Sequence, residues 1–310
     1  MADTLDKLEL ALKDRYLLEH KLGRGGMATV YLARDLKHDR PVALKVVRRG
    51  VAASVGHDRF LKEIRISAQL THPQILPLYD SGEAGGFLFY AMPFVDGESL
   101  RDRLEGVGPL PVAEVASLLR DVLEALEHAH KQDVVHRDIK PDNIMLIGRR
   151  AVVMDFGVAK AISAASSGGN ATTAGVVLGT PMYMAPEQAM ADPEIDHRAD
   201  LYAVGILAYE MLTGEPPFAG PSPQSILAAQ VTEEPKDVRL RRQEVSPNLA
   251  KLVMKSLRKE PERRWQSATE MLAVLDAELL SSGDFPPIQQ TAEMKVPKAR
   301  RNWWPFKKET

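Results

Sequence analysis

Cysteine is absent from the 310 residues. That excludes a disulfide framework, thiolate zinc sites and a cysteine nucleophile, and it fits a reducing compartment. Neither sign of charge is in excess: 40 Lys and Arg stand against 42 Asp and Glu, a formal net charge of −2. The balance of the whole chain therefore does not point to nucleic acid as a partner. Also missing is any stretch approaching the ~20 apolar residues that a membrane span needs. The opening segment MADTLDKLELALKDRY lacks the basic-then-apolar order of a signal peptide and carries Asp3, Asp6 and Glu9 instead. Its Leu5, Leu8 and Leu12 share one helical face, which predicts a short docking helix. These absences lead to the expectation of a cytoplasmic protein.

What is present suits a globular chain. Hydrophobic residues make up 45% and charged residues 26%, ordinary proportions for a packed protein. The length allows one large domain or two medium ones with a substantial core.

Residues 16–48 read as three strands, YLLEHKLG, ATVYLARD and PVALKVV, separated by Gly-rich or polar turns. Residues 57–70 read as a helix with Phe60, Ile64 and Leu70 toward the core. Strand character returns over 75–95, broken by a turn at Gly85 and Gly86. Beyond about residue 98 helices take over. Residues 111–131 place Val115, Leu119, Val122 and Leu126 at three-to-four spacing, with Pro111 near the start. Residues 197–213 are apolar on most faces, which predicts a buried helix. Two more helices are expected at 247–259 and 267–280, the second opened by a capping box of Ser267 and Glu270. The small, polar segment 161–175 has no hydrophobic period and reads as a loop. There is no internal repeat. The expected architecture is α+β: an N-terminal extension at 1–15, a small β-rich lobe with one helix at 16–95, a larger helical lobe at 96–280 and a tail at 281–310.

The densest chemistry lies in HRDIKPDN, residues 136–143, an octapeptide of mixed charge set between apolar runs. Asp155 follows at the end of an apolar strand and precedes Phe-Gly. A carboxylate and an amide oxygen converging there, from Asp155 and Asn143, make a hard-oxygen site suited to Mg²⁺. Asp138 is placed to accept a proton from a hydroxyl nucleophile. Other segments are equivocal alone. LGRGGMATV at 22–30 is either a phosphate cover or a plain Gly-rich hairpin. Lys45, in an otherwise apolar strand, either reaches solvent or is paired, with Glu63 as a candidate partner.

Taken in order, LGRGGMATVYLARD, Lys45 in VALKVV, HRDIKPDN, MDFG and GTPMYMAPE resemble the eukaryotic-like protein kinase superfamily, and most of all its bacterial serine/threonine members, over roughly residues 16–280. The resemblance implies a bilobal kinase fold that uses ATP with Mg²⁺, or Mn²⁺ in its place. It implies a phosphate-covering loop at Gly23 and Gly25, and an adenine pocket from Leu22, Val30, Ala43, Met92, Pro93 and Val95. Lys45 would hold the α- and β-phosphates with Glu63 as its ion-pair partner. Asp138 would be the catalytic base, Lys140 would steady the γ-phosphate, and Asn143 and Asp155 would be the metal ligands. Glu187 would pair with Arg264, and Asp200 would accept hydrogen bonds from the catalytic-loop backbone.

Two positions depart from the family pattern. Ala28 replaces the third glycine of the loop, tolerable where no positive φ is needed. Pro93 replaces a common Glu at the hinge, yet it keeps its carbonyl, and Val95 can still donate. Lys140 and Thr180 fit the serine/threonine pattern, so protein substrates with Ser or Thr hydroxyls are expected. Arg137 would bind a phosphate on the activation segment, with Thr172 and Thr173 as the best acceptors and Ser166 and Ser167 as weaker ones. Relatives can dimerise, which leaves room for a homodimer that phosphorylates in trans. The tail over 295–308 mixes Lys and Arg with Trp303, Trp304 and Phe306. Peripheral membrane contact, a docking peptide, a clamp on the kinase and a solvated tail all stay open. Two rivals stand beside the active kinase: a pseudokinase or nucleotide-binding scaffold, and a small-molecule kinase of the same superfold. The retained Lys45, Asp138, Asn143 and Asp155 argue against the first, and the complete activation segment argues against the second.

Overall fold

The computed structural model describes residues 2–48, 57–157 and 181–282. Helix α1 (Ala2–Leu12) is followed by β1 (Tyr16–Arg24), β2 (Ala28–Asp35), β3 (Arg40–Val47), helix α2 (His57–Ser67), β4 (Asp80–Ala84) and β5 (Phe87–Pro93). The strands form one antiparallel sheet in the order β1-β2-β3-β5-β4.

Period-two alternation decides what each face of this sheet touches. From β3 and β5, Val42, Leu44, Val46, Phe87, Phe89 and Ala91 pack with Leu8 and Leu12 of α1. The alternate residues Ala43, Val47, Leu88, Tyr90 and Met92 pack with Phe60 and Ile64 of α2. Strand β5 is therefore buried along its whole length, because helices cover both faces of the sheet. The predicted docking helix is thus the outer wall of the small lobe. Leu12 is fully buried, whereas Leu10 is 67% exposed. The strand character expected from residue 75 begins only at Asp80; Ile75 makes a single bridge to Val153.

The larger lobe opens with β6 (Glu98–Ser99) and α3 (Leu100–Val107), then α4 (Val112–His130), β7 (Ile144–Ile147), β8 (Arg150–Val153), α5 (Pro186–Ala189) and α6 (Arg198–Thr213). It closes with α7 (Pro223–Thr232), α8 (Val238–Arg241), α9 (Pro247–Ser256) and α10 (Ala268–Ser282). Local chemistry starts several of these helices. Ser222 and Ser246 each cap a helix whose first residue is proline, a position where the missing N–H costs nothing. The capping box expected at α10 is shifted. Ser267 caps Glu270 as anticipated, but the Glu270 carboxylate takes the N–H of Gln266 at 3.0 Å. Helix α6 is buried from Ala199 to Leu212 and passes so close to α9 that a Cβ on Gly205 would stand 2.6 Å from Ser256.

Leu12→Ala should cost about 2–5 kcal/mol of unfolding free energy by opening the core under α1. Leu10→Ala should stay within about 0.5 kcal/mol. Urea denaturation of both variants checks the pair.

Candidate functional site

Residues 136–143 cross the seam between the lobes as a loop that closes in a 3₁₀ turn, Pro141–Asn143, held from below by one carboxylate. Asp200, in the first turn of α6, is 1% exposed. Its oxygens accept the backbone N–H of His136 at 2.8 Å and of Arg137 at 2.7 Å, and His130 Nε2 at 2.8 Å. Burial works against this charge, but the hydrogen bond from His130 and the neighbouring imidazoles and amides hold the carboxyl below its ordinary value. His136 is fully buried. Its Nε2 donates to Met154 O at 2.8 Å and its Nδ1 accepts the N–H of Asp138 at 3.2 Å. The imidazole thus ties the loop to the chain just before Asp155 and packs edge-on against Phe156 at 4.6 Å.

Above this base the polar side chains converge. Lys140 Nζ donates to Asp138 Oδ2 at 2.7 Å. Asn143 Nδ2 donates to Asp138 O at 2.7 Å and to Oδ2 at 3.0 Å. Burial disfavours the Lys140 ammonium, yet the Asp138 carboxylate outweighs it and holds the Lys140 pKa above its usual value. Met154 N–H bonds to Asn143 O at 2.9 Å, which sets Asn143 and Asp155 side by side at the ends of β7 and β8. With its amide nitrogen turned to Asp138, Asn143 has its oxygen left as an acceptor. That oxygen and the Asp155 carboxylate are hard donors that fit Mg²⁺ or Mn²⁺.

Asp155 also spans the lobes. Lys45 Nζ of β3 lies 2.5 Å from its Oδ2, and Tyr90 of β5 donates its hydroxyl to Oδ1 at 2.8 Å. Burial would raise the Asp155 pKa; the Lys45 ammonium and both hydrogen bonds keep it low. The backbone here is strained, with positive φ at Arg137 (67°) and Asp155 (65°). Gly157 has φ 71°, and a Cβ there would meet the Ser67 hydroxyl at 2.1 Å. Only glycine lets this turn lie against the last turn of α2, the helix that carries Glu63.

The expected adenine residues gather in one cluster. Val30, Ala43, Met92 and Val95 are buried, with Leu22 half-buried against them. Gly23 lies at the end of β1, and Gly25 N–H bonds to Ala28 O at 2.9 Å across the following turn. Pro93 ends β5 opposite Val42. Glu187 and Arg264 form a buried bidentate pair at 2.6 and 2.7 Å. Arg264 also donates to the carbonyls of Arg258, Lys259 and Arg198. Arg137 donates to Ile195 O at 3.3 Å, and its Nε is buried with no acceptor among the described residues. Thr172, Thr173 and Thr180 lie outside the described residues, as does the tail from 283.

Several participants have no motif to announce them. Tyr90 on Asp155 and His130 on Asp200 act across 65 and 70 positions. Gln188 Nε2 holds Arg137 O at 2.9 Å. Met145 joins the cluster of the expected adenine residues; the run IMLI is apolar at all four positions, so nothing in it singled Met145 out.

The protein kinase domain family matches residues 16–274. The chain belongs to the protein kinase family. Its relatives include the serine/threonine-protein kinase PknB of Mycobacterium tuberculosis, 44% identical over 270 residues that cover 85% of this chain and 43% of the relative. PknB of Mycolicibacterium smegmatis is 40% identical over 313 residues, 93% of this chain and 50% of the relative. A probable serine/threonine-protein kinase of Streptomyces coelicolor is 40% identical over 289 residues, 91% and 42%. The chain thus spans about half the length of the curated relatives it matches. The two lobes and five-stranded sheet are the α+β kinase architecture. No helix among the described residues is long and apolar enough to cross a membrane.

Glu187→Ala should cost about 3–5 kcal/mol, because it strands the buried Arg264 charge; guanidinium denaturation measures it. A second expectation concerns acid. Asp200 is held below the ordinary carboxylate range, so its stabilising contribution is complete above that range and is lost as pH falls through the lower native value. The stability gap between wild type and Asp200→Asn should therefore narrow below about pH 4. A gap that stays constant into strong acid would contradict the assignment.

Proposed function

We propose that this chain transfers the γ-phosphoryl group of ATP to serine and threonine hydroxyls of proteins. The observation that carries the reading is the convergence of Asp138, Lys140 and Asn143 with the Lys45–Asp155 pair at one point of the interlobe seam. Asp138 accepts the proton of the attacking hydroxyl. Lys140, bonded to Asp138, steadies the charge that collects on the transferred group. Lys45 turns from Asp155 to the α- and β-phosphates, with Glu63 as its anchoring carboxylate. Leu22, Val30, Ala43, Met92 and Val95 enclose the adenine, and Gly23 and Gly25 cover the phosphates. Asn143 and Asp155 hold the divalent ion, which when bound neutralises phosphate charge. Little covalent work falls to the protein; positioning and charge placement supply the rate.

Regulation follows the same site. The Arg137 Nε, without an acceptor among the described residues, supports this residue as the docking point for a phosphate on Thr172 or Thr173. Transfer to that segment in trans calls for an encounter of two copies. The basic and aromatic composition of 295–308 supports contact with an anionic membrane. A cytoplasmic setting, where ATP is at hand, agrees with this reading.

Labelled ATP with Mg²⁺ and a generic Ser/Thr substrate tests the reading. Wild type should transfer phosphate, and Asp138→Asn should be slower by about 10²–10⁴-fold. Phosphosite mapping should find Thr172 or Thr173 in wild type alone. Tight ATP binding with no transfer by wild type would favour a scaffold.

A further inference from the structure

One polar atom in the small-lobe core has no part in the steps above. Strand β5 reads FLFYAMP and is buried throughout, and Tyr90 at its centre is fully buried. A hydroxyl in such a place is costly unless it is bonded. Here it donates to Asp155 Oδ1 of the other lobe at 2.8 Å. Register explains how it reaches that far. Tyr90 stands directly opposite Lys45 in the pairing of β3 with β5, so both side chains leave the same face of the sheet. The Lys45 ammonium lies 5.8 Å from the centre of the Tyr90 ring. Phe60 of α2 packs on that ring at 6.5 Å, and Leu88 and Met92 share the cluster. Packing thus fixes the ring, and with it the hydroxyl.

The two donors to Asp155 differ in freedom. Lys45 reaches Oδ2 at 2.5 Å on a flexible stem, and it is the group that turns to the nucleotide phosphates in the kinase reading. Tyr90 holds Oδ1 from a rigid ring seated in a core. When Lys45 leaves, Oδ2 is opened while Oδ1 keeps its bond. Asp155 needs such a hold. Its φ of 65° is one that a residue other than glycine keeps only where its surroundings impose it. Asn143, the other expected metal ligand, is held in a comparable way, with its amide nitrogen donating to Asp138. Outer partners of this kind orient the ligands of a metal and contribute to its affinity.

We propose that Tyr90 is a positioning residue for the divalent ion: its hydroxyl keeps the Asp155 carboxylate in its ligating orientation after Lys45 has left it for the nucleotide. The inference rests on the kinase reading. Its rival is a core hydroxyl that takes Asp155 as a convenient acceptor and has no bearing on the metal.

The test uses the full chain and a fluorescent, non-hydrolysable ATP analogue, whose Kd is read by anisotropy in excess Mg²⁺ and in EDTA. The ratio of the two constants measures how far metal and nucleotide reinforce one another. Tyr90→Phe keeps the ring and deletes the hydroxyl. It should leave the Kd in EDTA at the wild-type value and shrink the Mg²⁺ enhancement about tenfold. A lobe merely loosened by the lost hydrogen bond would weaken both constants together. A folded Tyr90→Phe with an unchanged ratio therefore overturns the proposal in favour of the convenient acceptor. Tyr90→Met, which fills the space with a flexible chain and no hydroxyl, gives the same comparison if Tyr90→Phe does not fold. Wild type that binds the analogue equally well in Mg²⁺ and in EDTA overturns the proposal too, because no metal then depends on Asp155. Metal-enhanced binding by wild type without phosphate transfer to any substrate would count against the kinase reading, while the ratio would still decide the role of Tyr90.

Discussion

One carboxylate organises the candidate active site. Asp200 sits in the most deeply buried helix of the large lobe and accepts two consecutive backbone N–H groups from the catalytic loop, with His130 completing its shell. A buried charge is tolerable only when its lone pairs are satisfied, and here the loop itself satisfies them. The loop can therefore dispense with regular secondary structure up to its closing 3₁₀ turn. The same interaction sustains the positive φ of Arg137 and, through the His136 bridge to Met154, fixes the approach to Asp155. Asp138, Lys140 and Asn143 inherit their positions from it.

The second constraint is the two-sidedness of the small-lobe sheet. Part of its outer face is buried under α1, and the inner faces of β3 and β5 line the cleft side. Lys45 and Tyr90 project from those inner faces to Asp155 of the other lobe. In a low-dielectric seam such a pair is strong, and it is also exchangeable. Under the proposed function, a nucleotide phosphate would offer Lys45 equivalent anionic oxygens, and a divalent ion would compensate Asp155.

Elsewhere the large lobe uses buried ion pairs as staples. Arg264 binds Glu187 and three carbonyls, anchoring α5 to the segment before α10. Arg101 joins α3 and α6 in a similar way. The difference is exposure. The Arg264 side chain is sealed off, whereas Arg101 borders the surface next to Asp142.

Much of this was legible in the residues. Alternation placed β1, β2 and β3, three-to-four spacing placed α4, and apolarity on most faces marked α6 as buried, because these patterns follow from backbone geometry. HRDIKPDN, Asp155 and Lys45 stood out because mixed charge among apolar neighbours requires a partner or a function. The end of the first interlobe run was less legible: residues 75–79 look strand-like, but Ile75 finds one bridge and no ladder, since pairing needs a neighbour that local sequence does not specify. The glutamate at the start of α10 reached one N–H further back than a capping box requires for the same kind of reason. The sequence by itself determined the element types, the kinase resemblance and the inventory of reactive side chains. Only the tertiary structure decided who meets whom: Tyr90 with Asp155, His130 with Asp200, and Arg101 with Glu210, 65, 70 and 109 positions apart. Charge and hydrogen bonding act over a few ångströms in space, and distance along the chain carries no record of that.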